Sequence, residues 1–360
     1  MTKGAPGAGP AAGDRDTRMQ FFAGKPPVPK VIIHLRKKHL DQDLSRSFLQ
    51  LYGAIRKMLA AEGIGCEVRA MDPGIKISTR HVPGGRFEDG NLHILDDRHV
   101  QMPNVLNAAF AYLEGFWHLA PEGTREFSPI GAREFRENMI PYQYAKRFYG
   151  RLQRTLKDAR RTRYSAPRER QDIPQGCISL FFQGSYPFKA GATEFTDITM
   201  LQDVLEGAGG RTVLVKLHPK LADIGTMAEL AEIAAGDRRV MISGANIHDI
   251  LAASCATVSI NSSSAVEGFL HRTPAILYGK SDFHHMAQTV TGPGQFAEAL
   301  QRALARTGGY AQFMTWYFRN NCLEIGAAGL EQRIWEIFSR AGFPRERFTA
   351  GQTPGRLAGQ

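Results

Sequence analysis

Between residues 213 and 285 the chain alternates short apolar runs with amphipathic stretches, and this alternation restricts its fold more than any other feature. The run 213–217 stops abruptly at His218-Pro219, and a helical pattern covers 221–235. A second strand-like run, 239–243, leads to a short helix at 247–253. The third, 256–260, ends in Asn261-Ser262-Ser263-Ser264, and after a helix at 265–271 a fourth, 274–278, closes on a loop that reaches His284-His285. Strands separated by helices at this spacing specify a parallel sheet with crossover helices. The polar residues fall just past the strands. Ligands of an open parallel sheet bind beyond the carboxyl ends of its strands, so three polar loops are predicted to converge on one edge.

With 360 residues there is room for two domains of ordinary size, and 43% hydrophobic against 22% charged residues is the balance of a soluble globular protein. No apolar run is long enough to span a bilayer. Residues 1–29, rich in Gly, Ala and Pro without an apolar core, read as a disordered leader and exclude a secretory signal. Cys66, Cys177, Cys255 and Cys322 have no zinc or redox spacing and are expected to be free thiols of a cytoplasmic protein. The formal charge of +10 is uneven: 146–170 holds ten Lys or Arg residues against Asp158 and Glu169. Tyr144, Phe148, Leu152 and Leu156 recur there at helical spacing, so the stretch reads as a helix with a solvated basic face. That face adds an expected peripheral contact with the anionic inner-membrane surface.

A first, weaker α/β domain is predicted over 30–165. Its expected elements are a strand at 31–35, a helix over 44–61, strands at 66–70, 75–78 and 92–95, and a helix at 104–115. The aromatic, turn-rich 116–124 could line a cleft, which makes Trp117 and His118 candidate sugar or acceptor contacts. A linker precedes the second domain (175–310), which opens with a buried strand at 177–182. Helices at 311–342 are expected to pack back across the domains, and 343–360 to be a disordered tail.

His218, held at a strand end by Pro219, can donate to a phosphate oxygen and stabilise a leaving group, a catalytic as well as a binding role. Ser262, Ser263 and Ser264, with Asn261, offer hydroxyls and backbone N–H groups at a helix start, an anion site. Glu267, one turn on, can accept from a ribose diol. His284 and His285 are read as sugar or acceptor contacts.

The two motifs, about forty positions apart at the ends of strands, fit βαβ arithmetic. They also resemble a known pattern. Lys216-Leu217-His218-Pro219 and the run from Ser259 to Glu267 are similar to the HP and Ser-rich motifs of the capsule-polysaccharide (KpsC/KpsS-like) Kdo transferases and of related bacterial sialyltransferases. The segment 273–283 is similar to the stretch just after the Ser-rich motif in the capsule-synthesis family. The resemblance covers 178–291 and implies GT-B architecture: two Rossmann-like α/β domains facing a cleft. It implies a CMP-linked sugar held by Lys216, His218, Pro219, Asn261, Ser262, Ser263, Ser264 and Glu267, transferred to a polysaccharide or glycolipid acceptor.

Such a transfer needs a carboxylate to deprotonate the acceptor or trap the sugar. Glu88-Asp89-Gly90 spells the acid/base tripeptide of the sialyltransferases, and Glu194 is a further candidate, with Glu122 and Asp197 within reach of the same cleft. No metal or other cofactor is expected, since no Asp-x-Asp cluster follows a strand. Three readings stay open: a CMP-sugar transferase, a UDP-sugar transferase or sugar-nucleotide epimerase on the same fold, and a non-catalytic module for anionic glycan or nucleic acid. The absence of a nucleic-acid motif argues against nucleic acid as a partner.

Overall fold

The computed structural model describes residues 28–46, 48–162, 169–220 and 223–350. Two six-stranded sheets organise them. The first holds β1 (Val31–Leu35), β2 (Cys66–Ala70), β3 (Leu92–Asp96), β4 (Val105–Phe110) and β5 (Phe116–Ala120). Strands β1 to β4 are parallel, with Val31 of β1 opposite both Cys66 and Leu92, whereas β5 runs antiparallel to β4.

The second sheet comprises β6 (Cys177–Phe181), β7 (Val213–Lys216), β8 (Val240–Ile242), β9 (Ser254–Ser259), β10 (Ala275–Leu277) and β11 (Ala287–Thr289). Every pair in it is parallel, in the order β11-β10-β9-β6-β7-β8. Counted from β6 this is the dinucleotide-fold order 3-2-1-4-5-6, with its topological switch point between β6 and β9. Strand β6 is buried at every position, as a continuous apolar run in the middle of a parallel sheet must be. Helices begin where short polar side chains satisfy the first free N–H groups: Thr196, Asp223, Asn246 and Ser262 cap the helices Asp197–Gly207, Ile224–Gly236, Ile247–Ala253 and Ser263–Leu270.

The chain then returns to the first domain. β12 (Leu323–Glu324) adds to the edge of β5, and the helix Leu330–Arg340 buries Ile334 and Phe338 in the first-domain core. A separate apolar cluster docks the two domains. In it Phe116 meets Phe148 and Tyr149 of the helix Tyr142–Leu152, Phe269 and Leu270 of the second domain, and Phe313, Tyr317 and Phe318. The carboxyl edges of both sheets face one cleft, the arrangement expected of a GT-B protein.

Three expectations for the first domain are corrected. The helix predicted at 104–115 is β4 and a turn: Val105 to Ala109 are buried between β3 and β5, and Ala108-Ala109 gave an interior strand a helical look. Tyr112 (φ 61°) and Gly115 (φ 89°) reverse the chain into β5, so 116–120 is core strand rather than a cleft-lining turn. The strand expected at 75–78 is irregular; Ile75 instead joins Met71, Val82 and Phe87 in a small core built by coil. The tail expected to be disordered from 343 begins with packed structure, because Phe343 and Phe348, the latter in the helix Arg345–Thr349, are fully buried. The leader's first 27 residues, six residues of the basic stretch (163–168) and 351–360 lie outside the described residues.

Candidate functional site between the domains

On the second-domain side, the loops after β6, β7, β9 and β10 share one edge. Asn261 N donates to Gln183 Oε1 at 2.9 Å, Gln183 Nε2 donates to Asn261 Oδ1 at 3.0 Å, and Asn261 Nδ2 donates to the carbonyl of Lys280 at 3.1 Å. Asn261 therefore ties the loops after β6, β9 and β10 together across the switch point. Buried Asp197 holds the same β6 loop by accepting from Gln183 N and Gly184 N at 3.0 and 2.7 Å. Burial pushes its carboxyl up to about 6, against the pull of those N–H donors. Ser262 caps the helix Ser263–Leu270 by accepting from Ser264 N at 3.2 Å. Ser263 and Glu267 are half-buried there, as is His218 two strands away. At ~4.8 Å between strands, the ends of β7 and β9 that lead into His218 and Ser262 are about 10 Å apart.

The first-domain side is built by charge. Arg36 donates to Asp96 at 3.0 Å, and Arg125 pairs with Asp97 at 2.8 Å while its Nη1 donates to Tyr186 of the second domain at 3.1 Å. Burial works against the Asp97 charge, but Arg125 and Arg36 outweigh it and keep the carboxyl below its ordinary value. Asp97, Tyr112 and Arg125 all take up positive φ (56°, 61° and 49°), a strained backbone that these contacts hold in place.

Arg125 positions Glu126, a carboxylate that is 4% exposed and lines the cleft. Its Oε1 lies 3.8 Å from Nε2 of buried His99, and neither atom has a hydrogen-bond partner among the described residues. Burial raises the Glu126 pKa, with Arg125 opposing, and burial lowers His99 to about 3, so the ring is neutral. A buried, imperfectly satisfied carboxylate at a cleft wall is the arrangement of a proton acceptor. The cleft itself encloses 450 Å³ between Glu126, Phe127 and Ser128 on one wall and Gly279, Lys280, Ser281 and His284 on the other. The Phe127 ring lies 4.1 Å from the Arg80 guanidinium and 4.8 Å from Lys280 Nζ, which brings two cations to the cleft.

Behind the Lys280 wall lies Asp282, fully buried between the domains. It accepts from Tyr112 and Tyr317 at 2.8 and 2.6 Å, and the Tyr317 hydroxyl is 2.9 Å from His118 Nε2. Burial pushes Asp282 up to about 7, although the hydroxyl donors pull it down.

The structure brings some predicted residues to the cleft and removes others. His218, Ser262, Ser263 and Glu267 are on the carboxyl edge, with Pro219 exposed beside His218; His284 lines the cleft. His285 is a brace, its Nε2 2.7 Å from the carbonyl of Arg133. Lys216 is likewise engaged, donating to the carbonyl of Ala245 at 2.8 Å. Ser264 is buried at the helix start, and Asn261 is committed to the loop brace. Glu88 and Asp89 lie at the wrong edge: Asp89 is 2.9 Å from His93 Nε2, and neighbouring Asn91 accepts from Lys30 N, all at the amino ends of β1 and β3. Turn chemistry explains that tripeptide. Glu194 is exposed ahead of the helix Asp197–Gly207, and Glu122 is exposed. Trp117 and His118 line a different cavity, in the first domain.

Glu126 and Asp282 carried no predicted role; Ser128-Pro129, a cap-and-proline start, marks the turn Pro129–Ala132, which Ser128 caps, but not the carboxylate before it. Among the described residues, no group of three or more His, Cys, Asp or Glu side chains is arranged to hold a metal ion, and no helix is long and apolar enough to cross a membrane.

Residues 184–301 match the family model of capsule polysaccharide biosynthesis proteins. The match covers about a third of the chain and both motifs, so the resemblance drawn from them holds over the second domain. No curated protein sequence matches significantly. Among solved structures, the beta Kdo 2,7 transferase of Thermosulfurimonas dismutans KpsC is 12% identical with a TM-score of 0.48, over 86% of this chain and 99% of that one. The beta Kdo 2,4 transferase of the same organism's KpsC is 14% identical, with a TM-score of 0.46 over 80% and 89%. A glycosyltransferase involved in avilamycin A biosynthesis is 13% identical, with a TM-score of 0.37 over 87% and 97%.

Proposed function

We propose that this protein is a glycosyltransferase of capsule or surface-polysaccharide synthesis that moves a Kdo- or sialic-acid-type sugar from a CMP-linked donor to a saccharide or glycolipid acceptor. The observation that carries the reading is Glu126, a buried carboxylate on one wall of a cleft whose other wall is the loop after β10, on the same sheet edge as His218 and the Ser262 helix start. His218 and the Ser262–Ser263 helix start lie on that edge on either side of the switch point, where N–H and hydroxyl donors would stabilise a nucleotide phosphate. Glu126 lines the facing wall, its pKa raised by burial with Arg125 opposing, and on this reading takes the proton of an acceptor hydroxyl. The match of 184–301 to capsule-synthesis proteins supports the same assignment. The reaction needs no metal on this reading, and turnover is expected to survive chelator.

Exposed Tyr142 and Tyr144 beside Lys146 and Arg147 on the helix Tyr142–Leu152 would hold the enzyme at an anionic membrane face. Thermal-shift titration with CMP, UDP and GDP tests the donor. A ligand that binds only the folded state raises its stability by RT ln(1 + [L]/Kd). A rise in Tm with CMP that is lost in His218→Ala and Ser262→Ala is the expected result. A response to UDP alone would replace the donor, and no response to any nucleotide would leave the non-catalytic reading.

A further inference from the structure

We infer that a second cavity, where Arg133, Arg333 and Arg340 converge beside Trp117, binds the carboxylate of an acidic saccharide on the acceptor side of the reaction. The assignment to an acceptor rests on the transferase reading; the cavity and its charge do not. It encloses 350 Å³ between β5, the segment 128–133 and the helix Leu330–Arg340. That volume is at the small end of ligand cavities, ~300–1,000 Å³.

Two observations point to an anionic ligand. The first is an excess of positive charge, three guanidiniums against two carboxylates on the cavity wall. Arg133 donates to the side-chain oxygen of Asn321, and Arg333 donates to the carbonyls of Arg319 and Asn320 at 3.2 and 3.1 Å. All three acceptors are neutral. The wall's carboxylates, Glu122 and Glu336, are exposed and face three guanidiniums. Burial lowers the Arg333 pKa; Cys322 and Glu336 pull it back up, while Arg319 and Arg340 oppose its charge further, a repulsion that a bound anion would relieve. The second observation is a buried donor at the cavity wall: Trp117 is 1% exposed, lines the cavity, and its Nε1–H has no acceptor among the described residues. Guanidinium forks suit a planar carboxylate, which they bind bidentately.

The cavity's position connects it to the reaction. Ser128 lines both this cavity and the interdomain cleft, so the segment 128–133 is the partition between them. An acidic sugar seated here places a neighbouring residue of the same glycan toward Glu126.

Isothermal titration of the full chain with Kdo and glucuronate, against glucose and inorganic phosphate, tests the inference. Both sugar acids are expected to bind and glucose not to. The double variant Arg133→Ala/Arg340→Ala, at two exposed positions, should weaken the sugar acids at least tenfold while CMP binds as before, which also reports that the variant is folded. Arg133→Lys/Arg340→Lys should recover part of the loss. Absence of sugar-acid binding to the wild type, equal binding by the alanine variant, or phosphate binding as tightly as the sugar acids would overturn the proposal. Failure of CMP to bind the wild type would remove the transferase reading and leave the sugar-acid result to be read by itself.

Discussion

The two domains present their strand ends to the same cleft but reach that edge by different means. The second is a regular parallel sheet whose helices start on short polar caps, and its contribution is a set of backbone donors and braced loops. The first covers one sheet face with helices and the other with coil, and its last strands reverse direction. Its contribution is charge: Asp96, Asp97, Arg36, Arg125 and Glu126, crowded into low-accessibility positions. The difference teaches a division of labour. Periodic structure supplies a regular edge of capped helices and braced loops, while strained, irregular backbone holds buried charged groups whose proton affinities burial shifts.

Four perturbations would break or sharpen this contrast. The largest effect is expected from Glu126→Gln, which should lower kcat ~10²–10⁴-fold, the range for loss of a general base, with CMP affinity unchanged. Glu88→Gln, at the opposite edge, should leave turnover intact; equal loss in both variants would remove Glu126 from the reaction.

The second concerns Asp282, whose pKa is raised from 3.8 to about 7. The unfolded chain releases this proton near pH 4 and the folded one holds it to near 7, so this group makes the fold less stable as pH rises through that window. The gap is worth about 4 kcal/mol at ~1.36 kcal/mol per pH unit. Urea midpoints of Asp282→Asn and wild type should therefore diverge between pH 4 and 8 by roughly that amount, in the variant's favour. A constant difference across the range would mean that Asp282 is ionised in the fold.

Gly279→Ala should come third. An added Cβ would lie 2.6 Å from Ile260 Cγ2 and 2.9 Å from the carbonyl oxygen of Ala192, so a loss of about 1–3 kcal/mol is expected from overpacking at the cleft wall. A thermal melt like that of the wild type would show that this wall can yield. The smallest is Ser262→Ala, which removes a cap worth ~1 kcal/mol. If Ser262 also holds the phosphate, CMP affinity must fall by more than the melting curve does, and matched losses would reduce it to a cap.

Legibility followed the same division. Strands at 213–217, 256–260 and 274–278 were predicted to within a residue or two because each is an apolar run between polar caps, and His218 and Ser262 could be placed at strand ends for that reason. In the first domain, Ala108-Ala109 in an interior strand read as helix, and the β4–β5 reversal depends on Tyr112 in a conformation that sequence does not announce. Glu88-Asp89 had the right letters at the wrong edge of the sheet. Glu126 went unread because its distinction is environmental: set between Arg125 and Phe127, it looks like a surface glutamate until burial against His99 at the cleft wall sets it apart.

Taken alone, the sequence determined the parallel second sheet, its edge of polar loops and the family resemblance of that half, since periodicity and caps are local properties. Only the tertiary structure decided which carboxylate faces the cleft, that Asn261 and Lys216 brace loops, and that Arg133, Arg333 and Arg340 gather around one cavity. Burial, proton affinity and charge convergence depend on residues far apart in the chain, as the 170 positions between Tyr112 and Asp282 illustrate, and no local pattern encodes them.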